Sequence, residues 1–262
     1  MADVWASGAA YEPYVGRWSR RVACEFLAWL DVSPQSRWLD VGCGTGALSQ
    51  TILALASPTQ IKGVDRSEGF VQYARQQVND ARVSFEVGDA QSLGEPSAAY
   101  DAAVSGLVLN FVPAPERMIA EMMRATRVGG RVAVYVWDYA ERMQMMRTFW
   151  DAAAALDPTG QSADEGGRFP ICKPDPLTAL FRSTRLQEVE VRAIDIPTVF
   201  TDFDDYWLPF LGGQGPAASY AMSLSEERRA ALRDQIRSQL PIQADGSIHL
   251  IARAWAARGT VG

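Results

Sequence analysis

The sequence predicts a single domain built on a doubly wound, mostly parallel α/β sheet that carries a cap. Two observations lead to this fold class. Short apolar segments alternate with amphipathic helical segments over the first half of the 262 residues, as they do in parallel βαβ units. The first apolar segment also ends in a glycine-rich turn that leads into a helix. In sheets of this kind, ligands bind at the carboxyl ends of the strands.

The first half of the chain is predicted to hold five strands with helices between them. Apolar residues at helical spacing indicate helices over 18–30 and 48–55, and Ser67 is a favourable N-cap for a third helix. A fourth helix is expected to open at Pro115 and to close at the glycine pair 129–130. The strands are short apolar runs at 37–41, 61–65, 83–87, 100–105 and 131–137.

The regular alternation of strands and helices ends in the second half of the chain. Its elements are predicted as helices over 142–156, 177–184 and 224–240, a loop rich in glycine and proline over 157–176, and strands at 189–196 and 248–256. The last two strands enclose about 50 residues, which is too many for an ordinary connection. Because this stretch contains an aromatic segment and a glycine-rich hinge at 212–216, we interpret it as a cap over the ligand crevice.

Composition excludes several classes of function. The chain has 25 basic and 31 acidic side chains, a net charge of −6, whereas nucleic-acid binding normally requires a basic face. The three cysteines form no CxxC pair, so we expect reduced thiols and no metal site. The single histidine, His249, excludes catalysis by a histidine dyad. Without an apolar leader or an apolar run of about 18 residues, we expect a cytoplasmic chain with no membrane span.

The most informative segment is residues 38–46, whose sequence is WLDVGCGTG. It joins a predicted strand to a predicted helix, where glycines allow a sharp turn and let a ligand lie against bare backbone. The amides at the helix N-terminus can bind a polar or anionic group. The spacing Gly42-x-Gly44-x-x-Ala47 also fits a relaxed dinucleotide fingerprint, so the glycines alone leave the ligand open.

Three aspartates at predicted strand ends narrow the choice. Asp40 lies inside the end of the first strand, where a dinucleotide fold usually has an apolar residue. Asp65 ends the second strand, and its carboxylate can accept hydrogen bonds from both hydroxyls of a ribose. Asp89 follows the third strand, where it can accept a hydrogen bond from the exocyclic amine of adenine. Together they describe a pocket for an adenosine whose tail carries an amino acid instead of a pyrophosphate.

This arrangement resembles the class I S-adenosylmethionine-dependent methyltransferases, and most of all their ubiquinone/menaquinone-biosynthesis (type 11 domain) group. The resemblance covers roughly residues 10–140. It implies a Rossmann-like, seven-stranded sheet with an antiparallel last strand. It also implies S-adenosylmethionine as the cofactor, S-adenosylhomocysteine as its product, and a small-molecule acceptor with no nucleic-acid partner.

The resemblance further implies which residues hold the cofactor. Gly42 and Gly44 would pass under its methionine part, and Asp65 would bind the ribose. The N-terminal pattern Tyr11-x-x-Tyr14-x-x-Arg17-Trp18 is similar to a lid segment that covers the cofactor. The full set of expected cofactor residues is Tyr14, Trp18, Asp40, Gly42, Cys43, Gly44, Asp65, Arg66, Asp89, Ala90, Ser105 and Gly106.

On this interpretation residues 1–262 form one methyltransferase domain with five parts. These are an N-terminal lid and helix (1–33), a cofactor-binding core (34–140), substrate-side helices with the sixth strand (141–198), a cap insertion (199–247), and the last strand with its tail (248–262).

Aromatic residues of the cap are the candidates for lining the acceptor site. They are Phe200, Tyr206, Trp207 and Phe210. The acceptor is therefore expected to be a small, apolar or aromatic molecule, while its identity, the atom methylated and the oligomeric state stay open. No side chain is distinguished as a catalytic base, and the candidates near the crevice are Tyr14, Asp138, Tyr139 and Asp202.

Other functions remain open at the level of the residues. An NAD(P)-dependent oxidoreductase would use the same glycine spacing together with Asp65. A non-catalytic S-adenosylmethionine-binding protein would keep the same pocket and use the cap to bind a partner. A different reaction of the same cofactor is a third alternative.

Overall fold

The computed structural model describes residues 12–157, 162–212 and 215–262. Three features singled out in the sequence fall wholly or partly outside the described residues. These are Tyr11 of the lid pattern, residues 158–161 of the long loop, and residues 213–214 of the hinge.

A seven-stranded sheet forms the centre of the molecule. Its strands are β1 (Arg37–Val41), β2 (Gln60–Asp65), β3 (Val83–Val87), β4 (Tyr100–Gly106), β5 (Thr126–Trp137), β6 (Leu186–Phe200) and β7 (Ile248–Val261). Their order across the sheet is β3-β2-β1-β4-β5-β7-β6. β1 to β5 are parallel, and β7 runs antiparallel to β5 and β6. The predicted doubly wound sheet with an antiparallel last strand is confirmed.

Helices flank the sheet and make up much of the segment between β6 and β7, which was predicted as a cap. They are α1 (Arg17–Leu30), α2 (Ala47–Leu55), α3 (Glu68–Gln77), α4 (Pro115–Ala125), α5 (Gln144–Leu156), α6 (Glu165–Arg168), α7 (Pro174–Arg182), α8 (Phe203–Trp207), α9 (Gly215–Ser223) and α10 (Glu226–Gln239). The Phe70 amide donates to Oγ of Ser67 at 3.4 Å, so the predicted N-cap of α3 is confirmed. Within the described residues, no helix is both long and apolar enough to cross a membrane.

The prediction that α4 closes at the glycine pair 129–130 is wrong. The helix ends at Ala125, and the next residue already belongs to β5. The pairing of β4 with β5 shifts register between Tyr100 and Ala102, which marks a bulge at the level of the two glycines. Glycine signals a β-bulge as well as a helix end, and here tertiary pairing decides between the two.

The loop over 157–176 is more ordered than expected. It contains α6, whose first turn is capped by Asp164: the Gly166 amide donates to its Oδ1 at 2.8 Å. A 3₁₀ turn follows at Pro170–Cys172, and α7 begins at Pro174. The last two strands are also longer than predicted, because β6 and β7 pair from Phe200–Ile248 to Leu186–Val261.

Candidate active site

A cavity of about 420 Å³ opens at the carboxyl ends of the central strands, at the point where the strand order reverses between β1 and β4. This is where open α/β sheets bind ligands, and the volume suits a small molecule. Nine of the twelve expected cofactor residues line it. They are Asp40, Gly42, Cys43, Gly44, Asp65, Arg66, Asp89, Ala90 and Gly106.

The glycine loop after β1 is shaped by backbone contacts. The amides of Gly42 and Cys43 both donate to the Val64 carbonyl, at 2.7 and 3.1 Å. Gly42 has a φ of 74°, and a Cβ there would lie 2.6 Å from Cγ1 of Val108. Gly44 has a φ of 51°, and among the described residues no atom beyond its own chain neighbours lies within 4 Å of the place a Cβ would take. The loop therefore packs tightly at Gly42 and leaves open space beside Gly44 for a ligand.

Asp65 connects the glycine loop with α3. Its Oδ2 accepts a hydrogen bond from the Gly44 amide at 2.9 Å, and its Oδ1 accepts one from the Ser67 amide at 2.8 Å. Burial raises the pKa of this carboxyl, while the two amides and the Arg66 charge act in the opposite direction. Each oxygen of a carboxylate has two lone pairs, so both can still accept a ligand hydroxyl.

Asp40 is fully buried beside the cavity. Its Oδ2 accepts a hydrogen bond from the Ser49 hydroxyl at 2.7 Å, and its Oδ1 has no partner among the described residues. Burial raises the pKa of Asp40 to about 7, and Asp65 adds to the rise while Ser49 opposes it. A buried, half-satisfied carboxyl is costly, so a ligand that donates to Oδ1 would be stabilised here.

Asp89 lies at the exposed end of the cavity. Its Oδ1 accepts hydrogen bonds from the Gln91 backbone and side-chain amides, at 2.8 and 3.2 Å, and these lower the pKa of Asp89. Gln91 also lines the cavity, and its Oε1 accepts the Ala114 amide at 3.1 Å. Sequence reasoning missed Gln91, whose position two residues after the aspartate is the signal that could have found it.

The predicted lid residues lie next to the cavity but do not line it. The hydroxyl of Tyr14 donates to Sδ of Met146 at 3.4 Å. The ring of Trp18 packs edge-on against Phe200 at 5.3 Å. The N-terminal segment reaches the cavity through the neighbouring residues Val15 and Ser19 instead. Ser105, the third expected residue outside the lining, is buried at the end of β4.

The cap aromatics also lie away from the cavity lining. Phe200, Tyr206, Trp207 and Phe210 are all buried. The hydroxyl of Tyr206 donates to the Met145 carbonyl at 2.7 Å, and the ring of Phe210 stacks on Phe149 at 4.6 Å. These rings join the cap to α5 and the N-terminal segment, so the structure does not bring them to the surface where a bound acceptor was expected.

Other aromatic rings line the cavity in their place. Tyr135, Trp137 and Tyr139 line it from the carboxyl end of β5, and Phe111 lines it from the connection between β4 and α4. Sequence reasoning placed the first two in the fifth strand and gave them no role at the site. The signal that could have found them is an aromatic residue at every second position where a parallel strand ends.

Of the four base candidates, Tyr139 alone is among the residues that line the cavity. Asp202 caps α8, since its Oδ1 accepts the Asp205 amide at 2.8 Å. Asp138 is buried and accepts the Glu141 amide at 3.0 Å, and burial raises its pKa. The Cys43 thiol is buried, which raises its pKa well above the ordinary value and leaves it unreactive.

This chain is similar to known methyltransferases. Residues 39–134 match the family described as a methyltransferase domain. Trans-aconitate 2-methyltransferase of Variovorax paradoxus is 31% identical over 145 residues, which are 54% of this chain and 55% of that protein. Methyltransferase GfsG of Streptomyces halstedii is 29% identical over 225 residues, which are 82% of this chain and 77% of that protein.

A solved structure with the same fold is phosphoethanolamine N-methyltransferase 2 of Haemonchus contortus, determined with S-adenosylhomocysteine. Its TM-score is 0.62 at 17% identity, over 97% of this chain and 57% of that chain. The chain spans 31% to 55% of the length of three curated relatives that it matches. Over residues 39–134, this chain is therefore similar to the methyltransferase domains of known proteins.

Proposed function

We propose that this protein transfers the methyl group of S-adenosylmethionine to a small, apolar or aromatic molecule. The observation that carries the proposal is the gathering of Asp40, Asp65 and the glycine loop around one cavity that continues to the aromatic residues of β5. One end of the cavity thus offers polar groups for a cofactor, and the other offers an apolar surface for an acceptor.

The residues at the polar end fit the parts of the cofactor. Asp65 would accept the two ribose hydroxyls, and the open space beside Gly44 would take the methionine part. The unpartnered Oδ1 of Asp40 would accept a hydrogen bond from the methionine amino group, directly or through water. Asp89 would accept the exocyclic amine of the adenine, and the Ala90 amide would donate to the ring.

When bound, S-adenosylmethionine supplies a methyl group on a sulfonium: an acceptor lone pair forms the new bond to the methyl carbon as the carbon–sulfur bond breaks and its electron pair stays on sulfur. The chain's contribution is to hold the acceptor behind that carbon and to exclude water. Orientation of this kind can supply up to about 7–11 kcal/mol of the barrier reduction. A hydroxyl acceptor would also lose a proton, for which Tyr139 is the base candidate that lines the cavity.

Electrostatics disfavours the oxidoreductase alternative. A dinucleotide would place its pyrophosphate against the glycine loop, next to the buried carboxyls of Asp40 and Asp65. The like charges would repel each other in a poorly hydrated site. The cationic ammonium and sulfonium of S-adenosylmethionine are attracted by the same two carboxyls.

Calorimetric titration of the full chain tests the proposal. We expect S-adenosylmethionine and S-adenosylhomocysteine to bind and NAD to leave the titration flat. Binding of NAD alone would favour the oxidoreductase. Release of S-adenosylhomocysteine with a panel of small phenols and acids then tests turnover. A chain that binds the cofactor and never turns over would favour the non-catalytic alternative.

A further inference from the structure

We propose that the acceptor binds in an aromatic slot that takes a flat, uncharged molecule such as a phenol, and that Phe169 sets the width of this slot. The aromatic slot is formed by Tyr135, Trp137, Tyr139 and Phe111. This inference rests on the proposed function, because it names the acceptor class for the same cavity.

One wall of the aromatic slot comes from the end of β5. Side chains at every second position of a strand point to the same face, and Tyr135 and Trp137 obey this spacing, which Tyr139 continues past the strand end. All three rings are at least nine-tenths buried and line the cavity. They place three aromatic side chains in the part of the cavity lining that follows the end of β5.

A second wall comes from the connection between β4 and α4. Phe111 ends a 3₁₀ turn there, and Val112 and Pro113 follow it in the cavity lining. This wall is apolar, and the wall from β5 is aromatic. Stacked or edge-on contact with aromatic rings favours a flat, unsaturated ligand over a saturated one of similar size.

Phe169 joins the two walls from outside the cavity lining. Its ring lies 5.1 Å from that of Phe111 in an edge-on arrangement at 77°, and 6.0 Å from that of Tyr139 at 48°. Displacing or removing this ring would take a packing contact away from both Phe111 and Tyr139. Phe169 is therefore a positioning residue for the slot, which acts through the rings it contacts.

The segment before Phe169 is anchored firmly to α5. The Arg147 guanidinium donates to both carboxylate oxygens of Asp164 at 2.9 Å, and the Trp150 indole donates to the Glu165 carboxylate. Arg168 also lies 5.1 Å over the Phe169 ring. These contacts fix Phe169 independently of any ligand, so the slot width is set before an acceptor binds.

Among the described residues, the charged groups of the cavity lining lie at the other end. The charged residues of the lining are Asp40, Asp65, Arg66 and Asp89, all on or after β1, β2 and β3. The aromatic slot contributes tyrosine hydroxyls and an indole. A charged acceptor would lose its hydration there without gaining an opposite charge, which is costly. The slot therefore favours an uncharged acceptor.

The test measures binding of 2-naphthol to the full chain saturated with S-adenosylhomocysteine. Cyclohexanol serves as the saturated comparison, and 2-naphthoate serves as the charged one. We expect 2-naphthol to bind at least several-fold more tightly than either. Phe169→Leu keeps an apolar side chain without the ring and should weaken 2-naphthol binding roughly two- to tenfold, as expected for lost aromatic pairs. Its affinity for S-adenosylhomocysteine should be unchanged.

The matched control is Phe203→Leu, which removes a buried ring of the cap that is not in the cavity lining. It should change neither affinity. Unchanged 2-naphthol binding in Phe169→Leu, or 2-naphthoate binding as tight as that of 2-naphthol, would overturn the inference while the cofactor assignment stands. Absence of S-adenosylhomocysteine binding in the unaltered chain would instead overturn the proposed function beneath it.

Discussion

The Gly44 amide donates a 2.9 Å hydrogen bond to Oδ2 of Asp65, and this contact ties the loop after β1 to the end of β2. The other oxygen of Asp65 accepts the Ser67 amide at the start of α3. One carboxylate thus orders the loop on which a cofactor would lie and also offers lone pairs to its ribose. Loss of this side chain should therefore affect both the folded loop and the ligand.

Asp65→Ala should lower the affinity for S-adenosylmethionine by roughly 1.5–3 kcal/mol, because hydrogen bonds to a charged group are lost. Asp89→Ala should lower it by a similar amount. The two variants should differ in stability, since Asp65 is buried and bonded to two separate segments whereas Asp89 is exposed. Calorimetric titration and thermal unfolding measure the two effects. If neither variant changes the affinity, the pocket assignment is wrong.

Affinity for S-adenosylmethionine should depend on pH through Asp40. The pKa of this carboxyl is raised to about 7, so it becomes charged as the pH rises through neutrality. The charged form attracts the cationic ammonium group of the ligand, and the affinity should therefore increase between pH 6 and 8. Titrations across this range in unaltered chain and in Asp40→Asn separate this effect from titration of the ligand itself.

Ser49→Ala provides a second test of how the affinity for S-adenosylmethionine depends on pH. The Ser49 hydroxyl donates to Oδ2 of Asp40 at 2.7 Å and thereby lowers its pKa. Without this hydrogen bond the pKa of Asp40 should rise further, so the increase in affinity should move to higher pH. A midpoint that moves to lower pH would contradict the assignment of the titration to Asp40.

The glycine loop and its aspartates were predictable because their pattern is local. Each functional group sits within a few residues of a strand end, and parallel strands bring their carboxyl ends to one edge. Ser67 and the helices of the first half follow the same logic. The structure at the glycine pair 129–130 could not be predicted in this way. Glycine occurs both at helix ends and in β-bulges, and here the pairing of β5 with β4 decides between them.

The aromatic residues show where the sequence was insufficient. Burial could be inferred for the rings of the cap and of β5 alike, but hydrophobicity does not say which neighbour a ring packs against. In the structure, Phe210 of the cap stacks on Phe149 of α5, and Tyr14 lies edge-on to Phe210. Tyr139 lies at the cavity. Which rings pack inside the protein and which line the cavity depends on long-range contacts, and no short sequence pattern encodes these.

Gly42→Ala should destabilise the protein more than Gly44→Ala. Both positions have positive φ values, which cost a non-glycine residue roughly 1–2 kcal/mol. At Gly42 the new Cβ would also lie 2.6 Å from Cγ1 of Val108, whereas Gly44 faces open space. Urea unfolding measures the difference, and Val108→Ala in the Gly42→Ala background should recover part of it. Equal losses in the two single variants would show that the contact with Val108 relaxes without cost.

Stability should fall as the pH rises through the range in which Glu165 titrates. Burial raises the pKa of Glu165 from the ordinary 4.5 to about 7. Below pH 4.5 both the folded and the unfolded chain hold this proton. Above 4.5 the unfolded chain releases it first, so folding loses up to about 1.4 kcal/mol per pH unit and about 3 kcal/mol in total by pH 7.

Glu165→Gln removes this titration and keeps a carbonyl oxygen for the Trp150 indole. In urea unfolding between pH 5 and 8, the variant should gain stability relative to the unaltered chain as the pH rises. Asp40 has a raised pKa as well, so the variant should keep part of the slope. Glu121→Gln is the control, because Arg124 lowers the pKa of Glu121 and its titration falls below this range. If the stability curves of Glu165→Gln and the unaltered chain run parallel, Glu165 is ionised in the folded protein and the prediction is wrong. A pH-dependent gap between the curves arises only if the carboxyl keeps its proton in the fold.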